Sequence, residues 1–557
     1  MPSHSRQVHR LAPLLLAVVL GAYLLSFHDV DLNLADEGFF LTHALSIERG
    51  ALDPSSVDRL LKRQTGFLYH TWFQLAGHRD VKTARMLWVL LRVVLALMVL
   101  ALARRIVPWP VAAAAAVLTA IAIGPWHKTW YPFSFGLMLY LAGRSASPRA
   151  QAVVAGLAGG ALVTLHPVGV GVFVVLPAFG FLVFERLIDR GAGVRAALWT
   201  ALVLGASAGA GLLVLCTLDA VILVLTRGAD PALIWRGPIS ALQLFSPVHL
   251  ASALRYSSQW AGQGRLPLSA LFAGAGSFPL LGLLPGLVFL LQPLVLALVL
   301  LLLRRGSDRP SEEKRLLWLL AVLAAASLIK TCARTDLFHV MHAAAPSYIL
   351  MLYLLWRAVD ALSRRWQRTR HGARAAATVG LVLAGTLFPL GYTAAVLLSP
   401  SQWAASIGSL ARAERRLRLE RGGVRLTEGR AAQLEAVVQR IQAWTDPADP
   451  IFVMPFCPAL YFLADRLCVA DDDVFPKGLL AVVPGLGLSR SRADEHLARL
   501  LRSRRVKLVV QCPGFDRLAA GASIPRTRAL LLREYEVSYE IEGTRILRLR
   551  AGRRAGP

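Results

Sequence analysis

The stretch DVDLNLADEGFFLTHALSIERG, residues 29–50, carries two adjacent carboxylates, Asp36 and Glu37, shortly after the first long apolar run. Behind the pair, apolar residues recur at helical spacing as far as Gly50, which predicts a short amphipathic helix that ends at the glycine. We expect this helix to lie in a membrane interface with the acidic pair at its mouth. The alternative is that Asp36 only caps the helix, its carboxylate accepting from the free N–H groups of the first turn.

The composition indicates a membrane protein. The chain has 557 residues, of which 55% are hydrophobic and only 17% charged, and its mean hydropathy is +0.53. Such a chain is too apolar for a soluble protein of this length. The formal net charge is +27, but much of the Lys and Arg lies in short loops between apolar runs, where it signals topology and attracts anionic lipids. No nucleic-acid motif occurs, so we expect no nucleic-acid partner.

The apolar runs predict a polytopic α-helical protein of about eleven spans, because an open strand edge cannot satisfy its hydrogen bonds in lipid. The first run resembles a signal peptide, but no small-x-small cleavage site follows it, which favours a retained span. We place the spans near residues 11–27, 86–103, 110–125, 131–143, 150–165, 168–184, 196–217, 280–303, 316–331, 343–358 and 376–398.

The basic loops predict the orientation. With a cytoplasmic N-terminus, the most basic short loops fall inside, as the positive-inside rule requires. The first loop, residues 28–85, then lies outside together with everything from residue 399 onward. That first loop is itself basic, which departs from the rule. We therefore predict a multi-pass protein of the inner or plasma membrane with an extracytoplasmic C-terminal region.

The C-terminal region changes character. Residues 428–444 have the pattern of an amphipathic helix, 451–456 and 507–512 that of buried strands, and 536–541 with 545–550 that of a hairpin turning near Gly543. Interleaved strands and helices predict a small α/β domain. We therefore divide the chain into a transmembrane module, 1–398, and an extracytoplasmic α/β domain, 399–557. No Gly-rich phosphate loop opens a helix, so a nucleotide-binding core is not indicated.

Polar residues at span ends cluster on the predicted outer face, whereas the spans themselves contain few charges. Ion-coupled transport usually needs ionisable groups near the midplane, so this distribution favours chemistry at one face. A carboxylate there can act as a general base, and cations can hold a departing phosphate. The outer-face residues are Asp36, Glu37, His70, His127, Lys128, His166, Arg334, Asp336 and His339.

Each of these residues also has a purely structural interpretation. His127 and Lys128 stand among aromatic residues, as in an interfacial belt with a snorkelling lysine. His166 precedes a proline and suits a turn, and Arg334 can pair with Asp336. His339 and His342 have the spacing of two metal ligands but lack a third, so we predict no metal site there. Whether Cys457 and Cys468 form a disulfide is left open.

Four segments follow one another along the chain: ADEGFFLTHALSIERG (35–50), TGFLYHTWFQLAGHRDVKTARMLW (65–88), ARTDLFHVMHAAAPSYIL (333–350) and PIFVMPFCPALYFLADRLCVADDDVFPKGLL (450–480). With these segments the chain resembles the GT-C superfamily of membrane glycosyltransferases, specifically the family 39-type enzymes that include protein O-mannosyltransferases and bacterial lipid A aminoarabinose transferases. It departs from that pattern in lacking a Lys-Pro-Pro motif in the first loop and an Asn-Pro pair after DR in the tail.

The resemblance implies an inverting transfer of a sugar from a polyprenyl-phosphate donor to an extracytoplasmic hydroxyl of a glycan, lipid or protein. Asp36 would be the base, or would orient the acceptor, and Glu37 would be its partner. The resemblance makes no cofactor certain, and a divalent cation is left open. Further roles are assigned by location. Asp336 and His127 would orient the acceptor. The residues that would bind the donor and its phosphate are Lys128, Arg334, His339, His166, His70 and Arg85.

Two other functions are compatible with the same residues. One is a flippase or transporter that moves a lipid-linked sugar without making a bond, and the scarcity of charge within the spans disfavours it. The other is a non-catalytic membrane protein of envelope assembly, in which the acids are only helix caps. The order of the four motifs disfavours that function.

Overall fold

The computed structural model describes residues 2–34, 36–50, 57–121, 126–144, 147–165, 167–188, 193–227, 231–232, 234–235, 279–305, 311–333, 343–368, 410, 412–454, 457–469, 490–513 and 524–550.

Helices dominate the described part of the chain before residue 369. A 3-10 turn, Trp126–Lys128, precedes the sixth helix, and a π-helix, Pro167–Val175, separates the seventh from the eighth. The helices are α1 (Pro2–Leu25), α2 (Asp36–Glu48), α3 (Val57–Ala76), α4 (Val81–Ala103), α5 (Trp109–Ile121), α6 (Trp130–Gly143), α7 (Pro148–Leu165), α8 (Leu176–Ile188), α9 (Gly193–Arg227), α10 (Pro279–Arg305), α11 (Ser311–Ala333) and α12 (Ala345–Arg368).

Several of these helices are suited to a bilayer. Within the described ranges, three are long and apolar enough to cross a membrane: Val81–Ala103, Val170–Ile188 and Gly193–Ile222. Trp109–Ile121 and Trp126–Gly143 meet the same criterion only as a bent pair. Three such spans make the chain a multi-pass membrane protein, while the number eleven and the orientation stay predictions.

The contacts of the chain group it into two compact units. The helical unit comprises residues 1–27, 88–215 and 257–409, and the loop–tail unit comprises residues 28–87, 216–256 and 410–557. The first loop, predicted as part of the transmembrane module, thus shares a compact unit with the C-terminal region. The predicted domain boundary near residue 399 stays a prediction.

Small residues allow close helix packing within the helical unit. A Cβ on Gly160 of α7 would lie 1.9 Å from the carbonyl oxygen of Ala208 on α9, and one on Gly211 of α9 would lie 2.1 Å from that of Leu157 on α7. Such contacts are typical of membrane helices, because apolar side chains gain little by leaving lipid and the backbones must approach for packing to contribute.

The described elements of the C-terminal region are β1 (Arg415–Arg416), β2 (Arg425–Leu426), α13 (Glu428–Trp444), β3 (Phe452–Met454), α14 (Ala459–Ala464), α15 (Arg490–Ser503), β4 (Leu508–Gln511), α16 (Pro525–Glu534), β5 (Tyr535–Ile541) and β6 (Thr544–Leu549). Four of the strands form a sheet in the order β3-β4-β6-β5. Strands β3 and β4 are parallel, and the remaining pairs of this sheet are antiparallel.

The predicted elements of this region are present at the predicted positions. The helix over 428–444 is α13, and the two buried strands are β3 and β4. The hairpin turns at Glu542 and Gly543, which both have positive φ, as a two-residue turn between twisted strands requires. The apolar side chains of the sheet pack with α15 and α16 into one buried core.

The described cysteines of the C-terminal region are free thiols. Cys457 and Cys468 are not bonded to each other, and the thiol of Cys468 donates to Tyr461 Oη over 3.3 Å. Burial raises the pKa of the buried Cys512 thiol, and a hydrogen bond with Cys457 adds to this.

Helix α2 is largely buried within the loop–tail unit. It begins at Asp36 and ends at Glu48, and Gly50 follows with a φ of 67°. Leu41 and Leu45 are fully buried, and the helix packs against α3 and α14 of the same unit. The prediction of a helix with a glycine stop is confirmed. Protein elements cover most of its apolar side chains, which the sequence pattern did not predict, and its position relative to a membrane interface stays a prediction.

A glycine permits the contact between α2 and α14. A Cβ on Gly38 would lie 2.2 Å from the backbone nitrogen of Ala459. The Ala459 N–H donates to the carbonyl oxygen of Leu34 over 3.0 Å, and the Thr42 hydroxyl lies 2.7 Å from the carbonyl oxygen of Pro458. The start of α14 thus rests directly on the first turns of α2.

We predict that Gly38→Ala destabilises the chain by about 1–3 kcal/mol, because the added methyl group collides with backbone that cannot move aside cheaply. Thermal unfolding of the purified full chain in detergent measures the effect. Gly429→Ala is the matched control, since nothing lies within 4 Å of a Cβ at that position. Equal unfolding temperatures for the two variants would contradict the contact.

Candidate functional site

The acidic pair stands at the beginning of α2. Asp36 is the first residue of the helix, and the structure describes its backbone. Carboxylates are favoured in the first turn because the free N–H groups there carry partial positive charge. The side chain of Glu37 is 2% exposed, so its charge must be balanced inside the protein.

Arg85, in the first turns of α4, balances that charge. Its Nε donates to Glu37 Oε1 and its Nη2 to Glu37 Oε2, each over 2.7 Å. Its Nη1 donates to the carbonyl oxygens of Val30 and His28, over 2.7 Å and 3.1 Å. All three guanidinium nitrogens are therefore engaged, and the residues that lead into α2 are tied to the start of α4.

The segment before α2 is also bound to the C-terminal region. The guanidinium of Arg425 makes two hydrogen bonds with the carboxylate of Asp29, over 2.8 Å and 3.0 Å, and the backbones of these two residues are hydrogen-bonded as well. Arg430 donates to the Asp31 carboxylate over 2.8 Å and to the carbonyl oxygen of Leu32 over 2.7 Å. Two arginines of the C-terminal region thus hold two carboxylates of the first loop.

These two carboxylates titrate differently. Burial raises the pKa of Asp29, but the hydrogen bonds and charge of Arg425 outweigh burial and leave the pKa below its ordinary value of 3.8. Burial also raises the pKa of Asp31, and there Arg430 offsets it only in part, so the pKa stays above its ordinary value. Asp29 is therefore the carboxylate whose ion pair stabilises the fold near neutral pH.

The other end of α2 is held in the same way. Arg421 donates to Glu48, over 3.2 Å and 3.4 Å, and to Asp465 over 2.9 Å. Arg79 also binds Glu48, and Arg49 binds Asp465. Both ends of the helix are thus held by buried or half-buried ion pairs.

His70 lies on α3 in the same unit. Its side chain is 1% exposed and lies beside the ring of Phe67. Of the residues assigned to the donor, His70 and Arg85 therefore share the loop–tail unit with the acidic pair. Both are buried, and their predicted contact with a donor stays a prediction.

His127 and Lys128 belong to the helical unit. They lie in the 3-10 turn, where His127 is buried and Lys128 is half-buried. Arg92, fully buried on α4, stacks on the ring of Trp126 at 4.4 Å and donates to Thr129 Oγ1 over 2.9 Å. The ring of Trp126 thus packs against a buried cation of α4. The interfacial aromatic belt with a snorkelling Lys128 stays a prediction.

Lys330 is a cation that the sequence analysis missed. Its ammonium nitrogen lies 3.3 Å from the ring centre of Tyr131 and 5.6 Å from that of Trp130. The Tyr131 hydroxyl is 3.2 Å from that of Ser327, which also belongs to α11. The available signal was the four-residue spacing between Lys330 and Arg334, which makes the two neighbours if the helix continues.

Four of the predicted site residues lie outside the described residues, namely His166, Arg334, Asp336 and His339. The π-helix that follows His166 begins at Pro167, and irregular turns of this kind are frequent at functional sites. Within the described ranges, no three His, Cys, Asp or Glu side chains come together as metal ligands.

Comparison with known proteins gives structural neighbours only. No family model and no curated protein sequence matches the chain. The oligosaccharyltransferase of Archaeoglobus fulgidus, tethered with an acceptor peptide, has a TM-score of 0.51 at 14% identity over 98% of this chain and 74% of that chain. ArnT from Cupriavidus metallidurans, bound to undecaprenyl phosphate, has a TM-score of 0.42 at 15% identity over 97% of this chain and 98% of that chain.

Likeness at these identities is a likeness of fold. The chain shares the fold of the Archaeoglobus fulgidus oligosaccharyltransferase, the neighbour with a TM-score of 0.51.

We predict that Glu37→Gln destabilises the chain by about 3–5 kcal/mol, because it leaves the charge of Arg85 buried without its counter-ion. Asp360→Asn is the control, since it breaks the more exposed pair with Arg364 on α12 and is expected to cost less than about 1 kcal/mol. Denaturant unfolding of both variants measures the difference. Equal losses of stability in the two variants would mean that burial does not make the pair of Glu37 and Arg85 more stabilising than the exposed pair.

We also predict a pH dependence for Asp29→Asn. Since the folded-state pKa lies below 3.8, the ion pair stabilises fully above that pH and is lost as the pH falls through the folded-state value. The variant should therefore be less stable than the wild type at pH 7, and the gap should close below about pH 4. Thermal unfolding across the pH range measures it, with Asp446→Asn as the control at an exposed carboxylate. A difference in stability between the variant and the wild type that grows in acid would contradict the lowered pKa of Asp29.

Proposed function

We propose that the protein is an integral-membrane glycosyltransferase that moves a sugar from a polyprenyl-phosphate donor to a hydroxyl of a glycan, lipid or protein, with inversion. In this proposal the chain resides in the inner or plasma membrane, its N-terminus is cytoplasmic, and the acidic pair and the C-terminal region lie outside. The observation that carries the proposal is an acidic pair at the start of a buried loop helix in a chain with the GT-C fold.

The engagement of Glu37 supports a catalytic role for Asp36. Successive residues on an α-helix are about 100° apart around its axis. Because Glu37 occupies the position that faces Arg85, Asp36 stands on a different side of the helix end. We therefore assign the base to Asp36 and give Glu37 and Arg85 the role of positioning residues that hold the start of α2.

The proposed reaction is a single displacement. The oxygen of the acceptor hydroxyl attacks the anomeric carbon of the donor sugar, and the hydroxyl proton passes to the carboxylate of Asp36. The bond between the anomeric carbon and the phosphate oxygen breaks, and polyprenyl phosphate leaves with the electron pair. One displacement from the opposite side inverts the anomeric configuration.

The departing phosphate gains negative charge, so cations that hold it lower the barrier. We propose Lys128 for this role, and we add Lys330, which the structure describes on the aromatic rings of Trp130 and Tyr131. Asp336 and His127 are proposed to orient the acceptor. The remaining proposed donor contacts are Arg334, His339, His166 and His70. All these groups are side chains, so the proposed chemistry requires no metal ion. It is also compatible with a bound divalent cation.

The decisive test is replacement of Asp36. We predict that Asp36→Asn lowers transfer of a radiolabelled sugar from a polyprenyl-phosphate donor by about 10²–10⁴-fold, the usual contribution of a general base. Asp36→Ser is the matched variant, because serine still caps a helix but cannot take the proton at neutral pH. Both variants should lose transfer while unfolding at the wild-type temperature. If Asp36→Ser transferred the sugar at the wild-type rate, Asp36 would act only as a helix cap and not as the base.

Assays on the same membranes distinguish a glycosyltransferase from a transporter. A wild-type protein that releases no label from any polyprenyl-phosphate sugar, yet moves the intact lipid across vesicles, would overturn the proposed transfer. Retained binding without either activity would favour a role in envelope assembly. Measuring both activities on one preparation removes differences in expression.

A further inference from the structure

A cavity of about 850 Å³ lies within the helical unit, where α7 begins, α8 ends and α9 begins. Three arginines line it, one from the end of each helix: Arg149, Arg186 and Arg195. None of the residues assigned to sugar transfer lines this cavity. The motifs that carry the proposed function therefore leave it unexplained.

The cavity is lined by basic side chains, whose positive charge can attract an anionic ligand. Among the residues that the structure describes, neither Arg149 nor Arg195 has a carboxylate partner, and both side chains are exposed. Glu185, which precedes Arg186 on α8, is bound on both oxygens by Arg315. Guanidinium groups bind phosphate oxygens in pairs of parallel hydrogen bonds, so this cluster suits a phosphate group.

One wall of the cavity is apolar and open. Leu198, Trp199 and Leu202 of α9 line it and are 61%, 55% and 65% exposed. They belong to the helix Gly193–Ile222, which is long and apolar enough to cross a membrane, so their exposed surface suits contact with acyl chains. Tryptophan at such a level is typical of the boundary between head groups and acyl chains.

The helix ends add to the attraction for an anion. Both α7 and α9 begin at the cavity, and the first turn of a helix carries partial positive charge. One N–H of α7, that of Ala150, is already bonded to the hydroxyl of Ser147 over 3.3 Å. The arginines therefore carry the recognition, and the helix ends support it.

We propose that this cavity binds an anionic phospholipid, with the phosphate between the three arginines and an acyl chain along Leu198 and Leu202. A basic cluster alone would suit any soluble anion, but the apolar wall on a membrane span favours a ligand with a chain. The arginines lie at helix ends that the sequence analysis predicts to face the cytoplasm, and anionic phospholipids are enriched in the cytoplasmic leaflet. The bound lipid would join the ends of α7, α8 and α9.

The experiment uses the purified, delipidated full chain in neutral detergent. Native mass spectrometry measures binding of a short-chain phosphatidylglycerol, and phosphatidylcholine of the same chain length is the comparator. We expect Arg149→Gln with Arg195→Gln to weaken binding of phosphatidylglycerol by about tenfold or more. The control carries Arg104→Gln and Arg304→Gln, which remove the same charge from exposed arginines near the ends of α4 and α10 and should bind as the wild type does.

Three results would overturn the proposal. The first is equal binding by the cavity variant and the control, and the second is equal affinity for phosphatidylcholine. The third is displacement of phosphatidylglycerol by millimolar inorganic phosphate or by a polyprenyl phosphate, which would identify a different ligand. A second readout guards against misfolding: phosphatidylglycerol should raise the unfolding temperature of the control but not that of the cavity variant.

Discussion

The ion pair between Glu37 and Arg85 is the constraint on which the loop–tail unit depends. Both side chains are almost fully buried, so each needs the other to remain charged inside the protein. The geometry is bidentate, and the remaining guanidinium nitrogen binds the carbonyl oxygens of Val30 and His28. One side chain thus fixes where α2 begins and where the chain enters α4. The position of Asp36 follows from that arrangement.

Arginines of the C-terminal region extend the same principle. Arg425 binds Asp29 and Arg421 binds Glu48, so residues far apart in sequence are joined by charged hydrogen bonds. Such bonds are directional as well as strong, which specifies one arrangement of loop and tail. They also balance part of the positive charge of the first loop, because Arg79 and Arg85 are paired with carboxylates within the unit.

The helical unit handles charge differently. Arg92 is fully buried on α4 and is held by the ring of Trp126 and the hydroxyl of Thr129. Lys330 likewise lies over the ring of Tyr131. Aromatic faces attract cations without adding a negative charge to an apolar region.

Local patterns in the sequence determined much of this protein. Apolar runs predicted helices, alternation and a glycine turn predicted the strands and the hairpin of the C-terminal region, and Gly50 marked the end of α2. These features depend on neighbouring residues, so a linear pattern contains them. The short motifs also predicted the GT-C fold, because they occur in order along the chain.

Tertiary structure decided what covers α2 and which partner each charge takes. The spacing of its apolar residues was correct for a helix but could not distinguish lipid from protein as the covering medium. Likewise, nothing in the sequence pairs Asp29 with Arg425 or places Lys330 on Tyr131. Such partners are chosen by contacts between residues distant in the chain, and those contacts exist only after the chain has folded.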